Sequence, residues 1–568
     1  MQEIELKFLV PKSRLKGLMR QTHVKSSQVT QLAAHYYDTS DQQLAQAGIG
    51  LRIRKEGDTW VQTIKAGGDG IAARLEHNAI LDNEQVQTML DNNELMPDLT
   101  IYEDTPIAAA LADFKLKKLT KTLTRLYVTD VERTTRLLIE SNEDETDNCI
   151  EMAYDQGEII HGTDDSLRKA IQEIEFELVS GDLDFLLTTA KTWCKRYKLC
   201  LSTVTKAENG GLLINGQSHS PAVNANLSQL QIDKDSSAPA FIRAVVHNCL
   251  LQILPNSSAI VAGSIKDEHI LQLRIGIDRL RTALKAFADF SDEINPEWLP
   301  ILKQTATLLS DYYQLAYINA QIEPELQACG APAVDWTTDI ENIKITPINT
   351  LQANDFQITL LELIAFTMSD PSIEPQTNQL ARDKLTKILS KQYKKFLKTN
   401  KEADEVSDEV SDEVSDEVSD EVSDEVSDEV SDEVSDEVSD EVSDEVSVAE
   451  LVSDNIDVNT DTPNNDQSES ELLNQLRDLR YISEFSTPLL SKKKAKKKTK
   501  RWLKRLIKAQ KALEQLNDDN QYQQFYELKS TTDANALYGA GWFTAILTDD
   551  QSHIDARLAK FADSSTFW

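Results

Sequence analysis

Two stretches of the chain alternate charged with apolar side chains in a way that could hold a metal ion. Near the start, Glu3, Glu5 and Lys7 are each separated by one apolar residue. The same spacing returns in a second set of carboxylates, at Glu173, Glu175 and Glu177. Because side chains of a strand point alternately to its two faces, each stretch predicts a strand with one charged face. Carboxylate oxygens grouped on such a face are the ligands that hard divalent cations prefer.

Basic side chains occupy strand-like stretches between these two. They are Arg52, Arg54, Lys65, Arg74 and Arg133. Guanidinium and ammonium groups bind phosphate oxygens, so a face that carries them suits a polyanion. Any one charged stretch, taken alone, is more simply a solvated surface strand. Like charges clustered strand by strand are costly inside a fold unless a ligand of opposite charge is present, so the whole set favours a shared binding site.

The elements that must position these side chains are about eight strands before residue 214, separated by turn and helix signals. A short helix is predicted from Ser13 to Met19 and a longer one from Leu183 to Arg196. Closing such a sheet into a barrel places one face inside and leaves no free edge. The pattern therefore predicts a barrel whose interior has an acidic side for a cation and a basic side for a polyanion.

The order of motifs in this region resembles a known family. The stretch EIELKF at residues 3–8 is similar to the ExExK signature of the CYTH domain, found in the triphosphate tunnel metalloenzymes. Companion motifs follow in the family's order: YYDT at 36–39, GLRIR at 50–54, TIK at 63–65, RLE at 74–76, TDVER at 129–133, AYDQGE at 153–158 and EIEFELVSGD at 173–182. The layout resembles most the bacterial inorganic triphosphatases in which a CHAD domain follows the CYTH domain.

The resemblance implies an eight-stranded antiparallel tunnel that hydrolyses inorganic triphosphate to pyrophosphate and phosphate, with Mg²⁺ or Mn²⁺ as cofactor. The implied metal ligands are Glu3, Glu5, Glu173 and Glu175, with Asp155 and Glu177 as lesser candidates. The implied phosphate contacts are Lys7, Arg52, Arg54, Lys65, Arg74, Arg133 and Lys206. Lys7 and Tyr37 are the candidate catalytic side chains. Tyr37 could orient a proton acceptor, and the alternative for it is a tyrosine that only packs.

The end of this region departs from the family. CYTH domains tend to end in Ser-Lys-Ala-x-Arg-Gly-Tyr, whereas residues 205–211 are Thr-Lys-Ala-Glu-Asn-Gly-Gly. Lys206 is kept, but the Arg and the Tyr are lost. We therefore expect the end of the tunnel to close differently.

From Ala238 onward the apolar period becomes 3.6, which predicts a helical bundle after a linker. A helix over Glu268–Arg281 and the segments 477–481 and 502–518 resemble the CHAD domain, which implies binding of inorganic polyphosphate. Several side chains differ from those expected in the family. Leu271 stands in place of a histidine and Asp278 in place of an arginine. In the second half, Ser470 stands in place of a histidine and Leu473 in place of a basic residue. His269 could contribute to an anion site or be a surface histidine.

Two charged tracts lie within the helical region. Fourteen residues from Lys492 to Arg505 are mostly Lys and Arg, which suits polyphosphate, while a solvated helix face or a nucleic-acid patch are alternatives. From Asp404 to Ser447 the unit Asp-Glu-Val-Ser repeats. Since only its valines are apolar, we expect disorder to about residue 467. The simpler interpretation is that the repeat is an expansion without a role. The more specific one is that this acidic tether competes with polyphosphate for the basic stretch from Lys492 to Arg505.

Composition limits the class of protein. The acidic repeat supplies more than half of the formal net charge of −36, so the overall charge says little about partners. Five scattered cysteines without metal-ligand spacing indicate reduced thiols, and the N-terminus lacks the pattern of a signal peptide. The sequence contains no run of uncharged apolar residues long enough to predict a membrane-spanning helix. These features predict a cytoplasmic protein with neither a membrane nor a specific nucleic acid as partner.

The predicted fold class is α+β, an eight-stranded antiparallel tunnel followed by a helical bundle that a disordered acidic repeat interrupts. The predicted domains are 1–214 for CYTH, 215–237 for the linker, 238–400 and 470–550 for the two parts of CHAD, 401–469 for the repeat and 551–568 for a tail. Alternatives to inorganic triphosphate are thiamine triphosphate, a nucleotide or adenylate cyclase chemistry. A polyphosphate-binding scaffold with an inactive tunnel is the alternative that is not an enzyme.

Overall fold

The structure is a computed structural model, and it describes residues 2–22, 24–67, 73–92, 94–141, 147–415, 464–490 and 496–568. The strands are β1 Gln2–Leu9, β2 Gln28–Thr39, β3 Gly50–Glu56, β4 Thr59–Gly67, β5 Ala73–Leu81, β6 Leu123–Glu140, β7 Asn148–His161, β8 Arg168–Ser180 and β9 Cys200–Leu201. The helices up to the linker are α1 Leu15–Thr22, α2 Gln43–Gln46, α3 Asn83–Asp91, α4 Leu116–Leu119, α5 Leu183–Tyr197 and α6 Lys206–Ile214.

Eight of the strands close into an antiparallel barrel. The order around it is β5-β4-β3-β2-β6-β7-β8-β1, and pairing of β1 with β5 completes the ring. Residues 2–4 of β1 pair with β5, and residues 5–9 pair with β8. The two residues of β9 add to β1 as a ninth strand. The predicted eight-stranded antiparallel tunnel is confirmed.

The apolar core of this region lies on the outer face of the barrel. Because strand side chains alternate, the residues between the charged ones point outward. Phe8 and Phe176 pack edge to face with ring centroids 5.9 Å apart, and Trp193 of α5 lies 5.3 Å from Phe176. A second cluster joins Ile53 and Ile64 to the short helical turns between α3 and α4. This packing leaves much of the inner face to charged side chains, while Leu32, Val131 and Ile171 belong to an apolar cluster on that inner face, packed against α6.

The region after the linker is helical, as predicted. Its helices are α7 Ala238–Val261, α8 Asp267–Ala286, α9 Trp298–Tyr317, α10 Glu323–Ala328, α11 Thr337–Glu341, α12 Pro347–Leu351, α13 Asn354–Met368, α14 Ala381–Ser415, α15 Asn464–Leu490, α16 Lys496–Ser530 and α17 Leu537–Ala562, with a π-helix over Ile318–Ile322. Ser237 begins α7 by accepting a hydrogen bond from the amide of Ala240, and Pro239 in the first turn has no amide hydrogen to lose.

The described chain forms two compact units. One comprises residues 1–317 and 337–379 and holds the barrel with α7, α8, α9 and α13. The other comprises residues 318–336 and 380–568. The domain boundaries predicted from the sequence stay predictions.

Helix α7 is the one described helix that is long and apolar enough to cross a membrane, and 78% of its most apolar window is buried. Helices in protein cores meet the same criterion of length and composition, so the finding is weak. All five cysteines of the chain are unpaired.

The acidic repeat is helical where it begins, and there the predicted disorder is wrong. Helix α14 continues to Ser415 and so includes residues 404–415 of the repeat. Buried Leu385, Leu389 and Phe396 anchor the first part of this helix. Once nucleated, a helix adds one hydrogen bond for each further residue, which outweighs the modest repulsion of like charges four residues apart. The prediction for residues 416–463 lies outside the described residues, and α15 already begins at Asn464.

Candidate active site

The barrel contains a cavity of about 940 Å³ that side chains of both charges line. The acidic lining residues are Glu5, Glu56, Glu76, Glu151, Glu175, Glu177 and Glu208. The basic lining residues are Lys7, Arg52, Arg54, Lys65, Arg133 and Lys206. An acidic and a basic set facing one interior space is the arrangement that the strand pattern predicted.

Two buried carboxylates and one partly buried carboxylate on β7 and β8 form a compact group, called the carboxylate cluster below. Asp155 lies directly opposite Glu173 in the β7–β8 pairing, and Glu175 is two residues further along the same face of β8. Oxygen atoms of all three lie within 4.8 Å of one another. Exposure is 0% for Asp155 and 3% for Glu173, so water solvates neither to a useful extent.

Three cations enter the carboxylate cluster. Lys206 Nζ lies 2.7 Å from Asp155 Oδ2 and 2.9 Å from Glu175 Oε1, and it also forms an ion pair with Glu173. Arg133 donates two hydrogen bonds of 2.7 Å to Asp155 and one of 2.8 Å to Glu175. Lys7 Nζ lies 3.4 Å from Glu175 Oε1. Such charge-assisted contacts compensate for the burial of the carboxylates.

These contacts keep Asp155 and Glu175 ionised. Burial alone would raise the pKa of Glu175, but Lys206, Lys7 and Arg133 hold that pKa well below its usual range. Asp155 shows the same balance, since Lys206 and Arg133 outweigh burial and lower its pKa. Burial would lower the pKa of Lys206, yet the surrounding carboxylates raise it well above the usual value. Asp155 and Glu175 therefore hold negative charge and Lys206 positive charge at neutral pH.

A second set of carboxylates, called the acidic row below, crosses three neighbouring strands. Glu177 of β8 lies directly opposite Glu5 of β1 on one side and Glu151 of β7 on the other. Burial raises the pKa of Glu177, Lys65 lowers it, and Glu151 and Glu5 raise it further, with a net rise. Lys65 Nζ lies 2.7 Å from Glu76 Oε2 at the edge of this row. Like charges side by side make the row a place that favours a cation.

The opposite wall carries arginines and a tyrosine. Arg52 Nη1 donates a hydrogen bond of 3.4 Å to the hydroxyl of Tyr36, whose ring stacks on Tyr127 with centroids 4.8 Å apart. Burial raises the pKa of Tyr36, but Arg52, Lys206 and Arg54 outweigh it and lower that pKa below its usual value. Burial, together with the neighbouring Arg52, lowers the pKa of Arg54 to about 10. This wall thus presents donors that an anion would stabilise.

Comparison with known families agrees with this geometry. The family model of the CYTH domain matches residues 1–210, and that of the CHAD domain matches residues 244–527, which is half of the chain. The chain belongs to the family of CYTH–CHAD proteins. The resemblance inferred from EIELKF and its companion motifs is confirmed.

Individual relatives are more distant. An inorganic triphosphatase of Haemophilus influenzae is 30% identical over 247 residues, 42% of this chain and 63% of its own length, so the chain spans less than two thirds of it. The solved CHAD domain of Ricinus communis is 18% identical to this chain. The match covers 60% of this chain and 97% of that domain's chain, with a TM-score of 0.41. A putative adenylyl cyclase from Hippeastrum with a dominant triphosphatase activity shares 16% identity, covers 38% and 96%, and has a TM-score of 0.26.

The CYTH family implies a divalent metal ion, and the residues of this tunnel fit one. The carboxylate cluster and the acidic row supply only oxygen ligands, which suit Mg²⁺ or Mn²⁺ rather than softer metals. Glu5, Glu173, Glu175, Asp155 and Glu177 lie in one or the other of these groups. The side chains of Glu3 and Arg74 lie outside the described residues, although their backbones pair directly between β1 and β5.

The position of Tyr37 corrects one expectation from the sequence. Its hydroxyl donates a hydrogen bond of 2.8 Å to the carbonyl of Leu95, and its ring belongs to the apolar core outside the barrel. Tyr36 faces the cavity instead because it pairs directly with the inward Arg52. A β-bulge between Tyr36 and Tyr37 shifts the register against β6. The alternative for Tyr37, a packing tyrosine, matches its position.

Sequence reasoning also gave no role to Glu151 and Tyr36. Glu151 is two residues from Ala153 and four from Asp155 on one strand, so the period of two places it on the inner face. The signal was therefore present for Glu151. For Tyr36 the missing information was the pairing partner on β3, which the sequence of β2 alone does not contain.

The departure from the family at residues 205–211 has a structural counterpart. This stretch forms the first turns of α6, where Thr205 and Glu208 make a reciprocal capping box. The hydroxyl of Tyr127 donates 3.0 Å to the carbonyl of Ala207, and a Cβ on Gly210 would overlap the ring of Tyr127. A glycine at 210 lets the helix approach β6 closely enough to place Lys206 in the cavity.

In the helical region, His269 is buried rather than on the surface. Its Nδ1 lies 2.7 Å from the hydroxyl of Ser264, and its Nε2 lies 2.9 Å from the carbonyl of Ser220 in the linker. Burial lowers its pKa, so the ring is neutral at pH 7 and fastens the linker to α8. Arg281 pairs with Asp278 at 3.0 Å on the same helix.

Proposed function

We propose that the tunnel hydrolyses inorganic triphosphate to pyrophosphate and phosphate with Mg²⁺ or Mn²⁺. The observation that carries this proposal is one cavity whose walls hold carboxylates on one side and six basic side chains around them. Transfer of a phosphoryl group needs positioning and charge neutralisation more than covalent catalysis. A scaffold that only bound a polyanion would use the basic side chains but would not need the carboxylates beside them.

The basic side chains bind the phosphate oxygens. Lys206, Arg133 and Lys7 already hold oxygen atoms of the carboxylate cluster at 2.7 to 3.4 Å, and phosphate oxygens accept the same hydrogen bonds. Arg52, Arg54 and Lys65 extend these donors along the cavity. The carboxylates Glu5, Glu173, Glu175, Asp155 and Glu177 would hold the divalent ion. When bound, that ion supplies neutralisation of phosphate charge.

The reaction itself is an attack by water on a terminal phosphorus. A new P–O bond forms from the water oxygen, the anhydride P–O bond breaks, and pyrophosphate leaves with the bonding electrons. Tyr36 Oη lies in the cavity within hydrogen-bonding distance of Arg52, and its pKa is lowered. Tyr36 is placed to orient the acceptor of the proton that the attacking water loses, the role that the sequence suggested for Tyr37.

One observation favours an unsubstituted phosphate chain over thiamine triphosphate or a nucleotide. A base or thiazole ring needs an apolar or aromatic face, and Tyr36 is the aromatic side chain among the lining residues. Tyr36, which could provide one, is already stacked on Tyr127. The relative from Haemophilus influenzae is also an inorganic triphosphatase.

Phosphate release from tripolyphosphate, ATP and thiamine triphosphate tests the proposal, each with Mg²⁺ or Mn²⁺. We expect the highest kcat/KM for tripolyphosphate, and no release from any of the three would leave a scaffold. Glu5→Gln and Glu175→Gln are expected to abolish turnover through loss of metal. Glu158→Gln is the matched control, because Glu158 pairs with the exposed Arg168 away from the cavity lining. An unaffected rate in Glu5→Gln would refute the ligand assignment.

We further propose that the CHAD region binds inorganic polyphosphate along α16, in a protein located in the cytoplasm. Seven basic side chains of this helix are exposed: Lys496, Lys497, Lys498, Lys500, Arg501, Lys504 and Lys508. Trp502 and Leu506 are buried on the other face, so the charge forms one exposed stripe. Contacts of such a stripe with a polyanion release counterions and weaken with salt.

Charge reversal tests this second part. Lys497→Glu, Arg501→Glu and Lys504→Glu together should weaken polyphosphate binding at low salt by at least tenfold, and should flatten its salt dependence. The control changes the same net charge elsewhere, with Lys285→Glu, Lys303→Glu and Lys344→Glu, all exposed in the other compact unit. Equal losses in both triple variants would show a general charge effect and no site on α16.

A further inference from the structure

The backbone that leads into Lys206 is bound to the barrel on one side. This stretch, residues 200–206, is called the lysine segment below and runs from β9 to the first residue of α6. The amide of Ser202 donates 2.9 Å to the carbonyl of Lys7. Lys7 Nζ donates 3.3 Å to the carbonyl of Val204. The lysine segment therefore contacts Lys7 and carries Lys206, two of the cations of the carboxylate cluster.

On its other side the lysine segment is held by two side chains of the CHAD region. The amide of Leu201 donates 2.8 Å to Oε1 of Gln357 on α13. The amide of Thr203 donates 3.0 Å to the hydroxyl oxygen of Ser258 on α7. Gln357 and Ser258 are each 1% exposed, so water cannot replace them as acceptors. Because β9 is an edge strand, the outward amide of Leu201 needs a partner from outside the sheet, and Gln357 provides it. Ser258 does the same for the amide of Thr203, two residues beyond β9.

Both acceptors are oriented by a second hydrogen bond. The hydroxyl of Ser258 donates 2.7 Å to the carbonyl of Leu254, so its only hydrogen is used and its oxygen is left to accept. Nε2 of Gln357 donates 2.7 Å to the carbonyl of Leu351, which fixes the amide with Oε1 toward Leu201. Hydrogen bonds within the CHAD region therefore orient both acceptor atoms toward the lysine segment.

The neighbour of Ser258 shows that burial alone does not produce such contacts. Ser257 precedes it on α7 and is equally buried at 1% exposure. Its hydroxyl finds no hydrogen-bond partner in the described part of the chain. Ser257 and Ser258 are therefore the same residue type on the same helix and are equally buried, but of the two only Ser258 accepts a hydrogen bond from the lysine segment among the described residues.

We propose that Ser258 and Gln357 are positioning residues of the tunnel, through which the CHAD region sets the placement of Lys206 and Lys7. The inference rests on the function proposed for the tunnel. Removal of Gln357 leaves a buried amide without this acceptor, and removal of Ser258 does the same to a partly buried one. The lysine segment relieves this cost by moving toward water. Lys206 then loses its alignment with the phosphate oxygens, and small misplacements of a binding group cost substantial rate.

Steady-state kinetics with tripolyphosphate in the full-length protein test the proposal. We expect Ser258→Ala to raise KM about tenfold, the effect of one lost acceptor for a buried donor. Ser257→Ala should change KM less than twofold. KM does not depend on the folded fraction, so a merely less stable variant would lower the apparent kcat and leave KM as it is. In a Lys206→Ala background, Ser258→Ala should raise KM by a smaller factor than it does alone, because only the placement of Lys7 is then left to change. An unchanged KM in both Ser258→Ala and Gln357→Leu would overturn the proposal.

Hydrogen exchange separates this inference from the function on which it rests. Without any substrate, the amide of Thr203 should exchange faster in Ser258→Ala than in the parent or in Ser257→Ala. The amide of Leu201 should respond in the same way to Gln357→Leu. Unchanged exchange in both variants would show that the two side chains do not hold the lysine segment. Faster exchange in a protein that releases no phosphate from tripolyphosphate would instead refute the function of the tunnel alone.

Discussion

Lys206 Nζ lies 2.9 Å from Glu175 Oε1, and both side chains are withdrawn from solvent. The pair is part of a group in which three carboxylates share Lys206, Arg133 and Lys7. A buried ion pair gains little over an apolar pair of the same size, whereas removal of one partner leaves a costly buried charge. The arrangement is better explained by ligand binding than by a gain in stability. A phosphate chain can take the place of the carboxylates as partner of the cations, and a divalent ion can take the place of the cations as partner of the carboxylates.

Lys206→Met should destabilise the protein and make its stability depend more strongly on metal. In EDTA we expect a loss of about 3 kcal/mol in the free energy of unfolding, the usual cost of breaking a buried pair from one side. Mn²⁺ should raise the Tm of this variant more than that of the parent, because the ion neutralises the carboxylates that Lys206 leaves behind. Thermal unfolding with and without Mn²⁺ measures this.

The control for this prediction is Lys285→Met, an exposed lysine on α8. It should behave like the parent in EDTA and in Mn²⁺. An equal rise of Tm in all three proteins would mean that the ion does not bind at the carboxylate cluster.

Glu175 and Glu177 should affect stability in opposite directions in metal-free protein. The lowered pKa of Glu175 means that its charge stabilises the fold above the ordinary glutamate pKa of about 4.3, and that this contribution is lost as pH falls through the lowered value. The raised pKa of Glu177 means that its charge opposes folding above that value, and that protonation relieves the cost. At pH 7 Glu175→Gln should therefore lower Tm and Glu177→Gln should raise it.

Calorimetry in EDTA between pH 3 and pH 8 follows both effects. The differences of each variant from the parent should shrink as pH falls, since the parent carboxylates become protonated like the glutamines. Shifts of the same sign at pH 7 would contradict the assignment of one glutamate to a cation-rich cluster and the other to the acidic row.

The barrel and much of its inner lining follow from the sequence because a strand has only two faces. The alternation around Glu5 and around Glu175 is enough to place both on one side, and closure of the sheet brings them to one interior. Pairing between strands is different, because it depends on turns, bulges and loops that are distant in sequence. The sequence pointed to Tyr37, whereas Tyr36 lies in the cavity. This error arose from strand pairing, because a β-bulge lies between the two residues. The contact of Ser258 with Thr203 likewise joins residues 55 apart and leaves no local signal.

Tyr36→Phe and Tyr37→Phe should separate turnover from stability. Tyr36→Phe removes the hydroxyl in the cavity, and we expect kcat to fall about a hundredfold because that hydroxyl orients the acceptor of the proton from the attacking water. Tyr37→Phe removes the hydrogen bond to Leu95 and should cost about 1 kcal/mol of stability with kcat nearly unchanged. Phosphate release at saturating tripolyphosphate, together with Tm, measures both. A larger loss of kcat in Tyr37→Phe than in Tyr36→Phe would reverse the assignment.

Gly210→Ala and Gly211→Ala should differ sharply, although the two glycines are adjacent on α6. A Cβ on Gly210 would overlap the ring of Tyr127, whose hydroxyl holds the carbonyl of Ala207. A Cβ on Gly211 would meet only the end of the Gln42 side chain at 3.4 Å. Alanine in a helix interior gains up to about 1 kcal/mol over glycine when space allows, so Gly211→Ala should keep or raise Tm and leave KM as it is. Gly210→Ala must push α6 away from β6, and with it Lys206, so we expect a lower Tm and a KM for tripolyphosphate raised several-fold. Because both variants gain the same helix propensity, equal values of KM would show that the approach of α6 to Tyr127 does not set the position of Lys206.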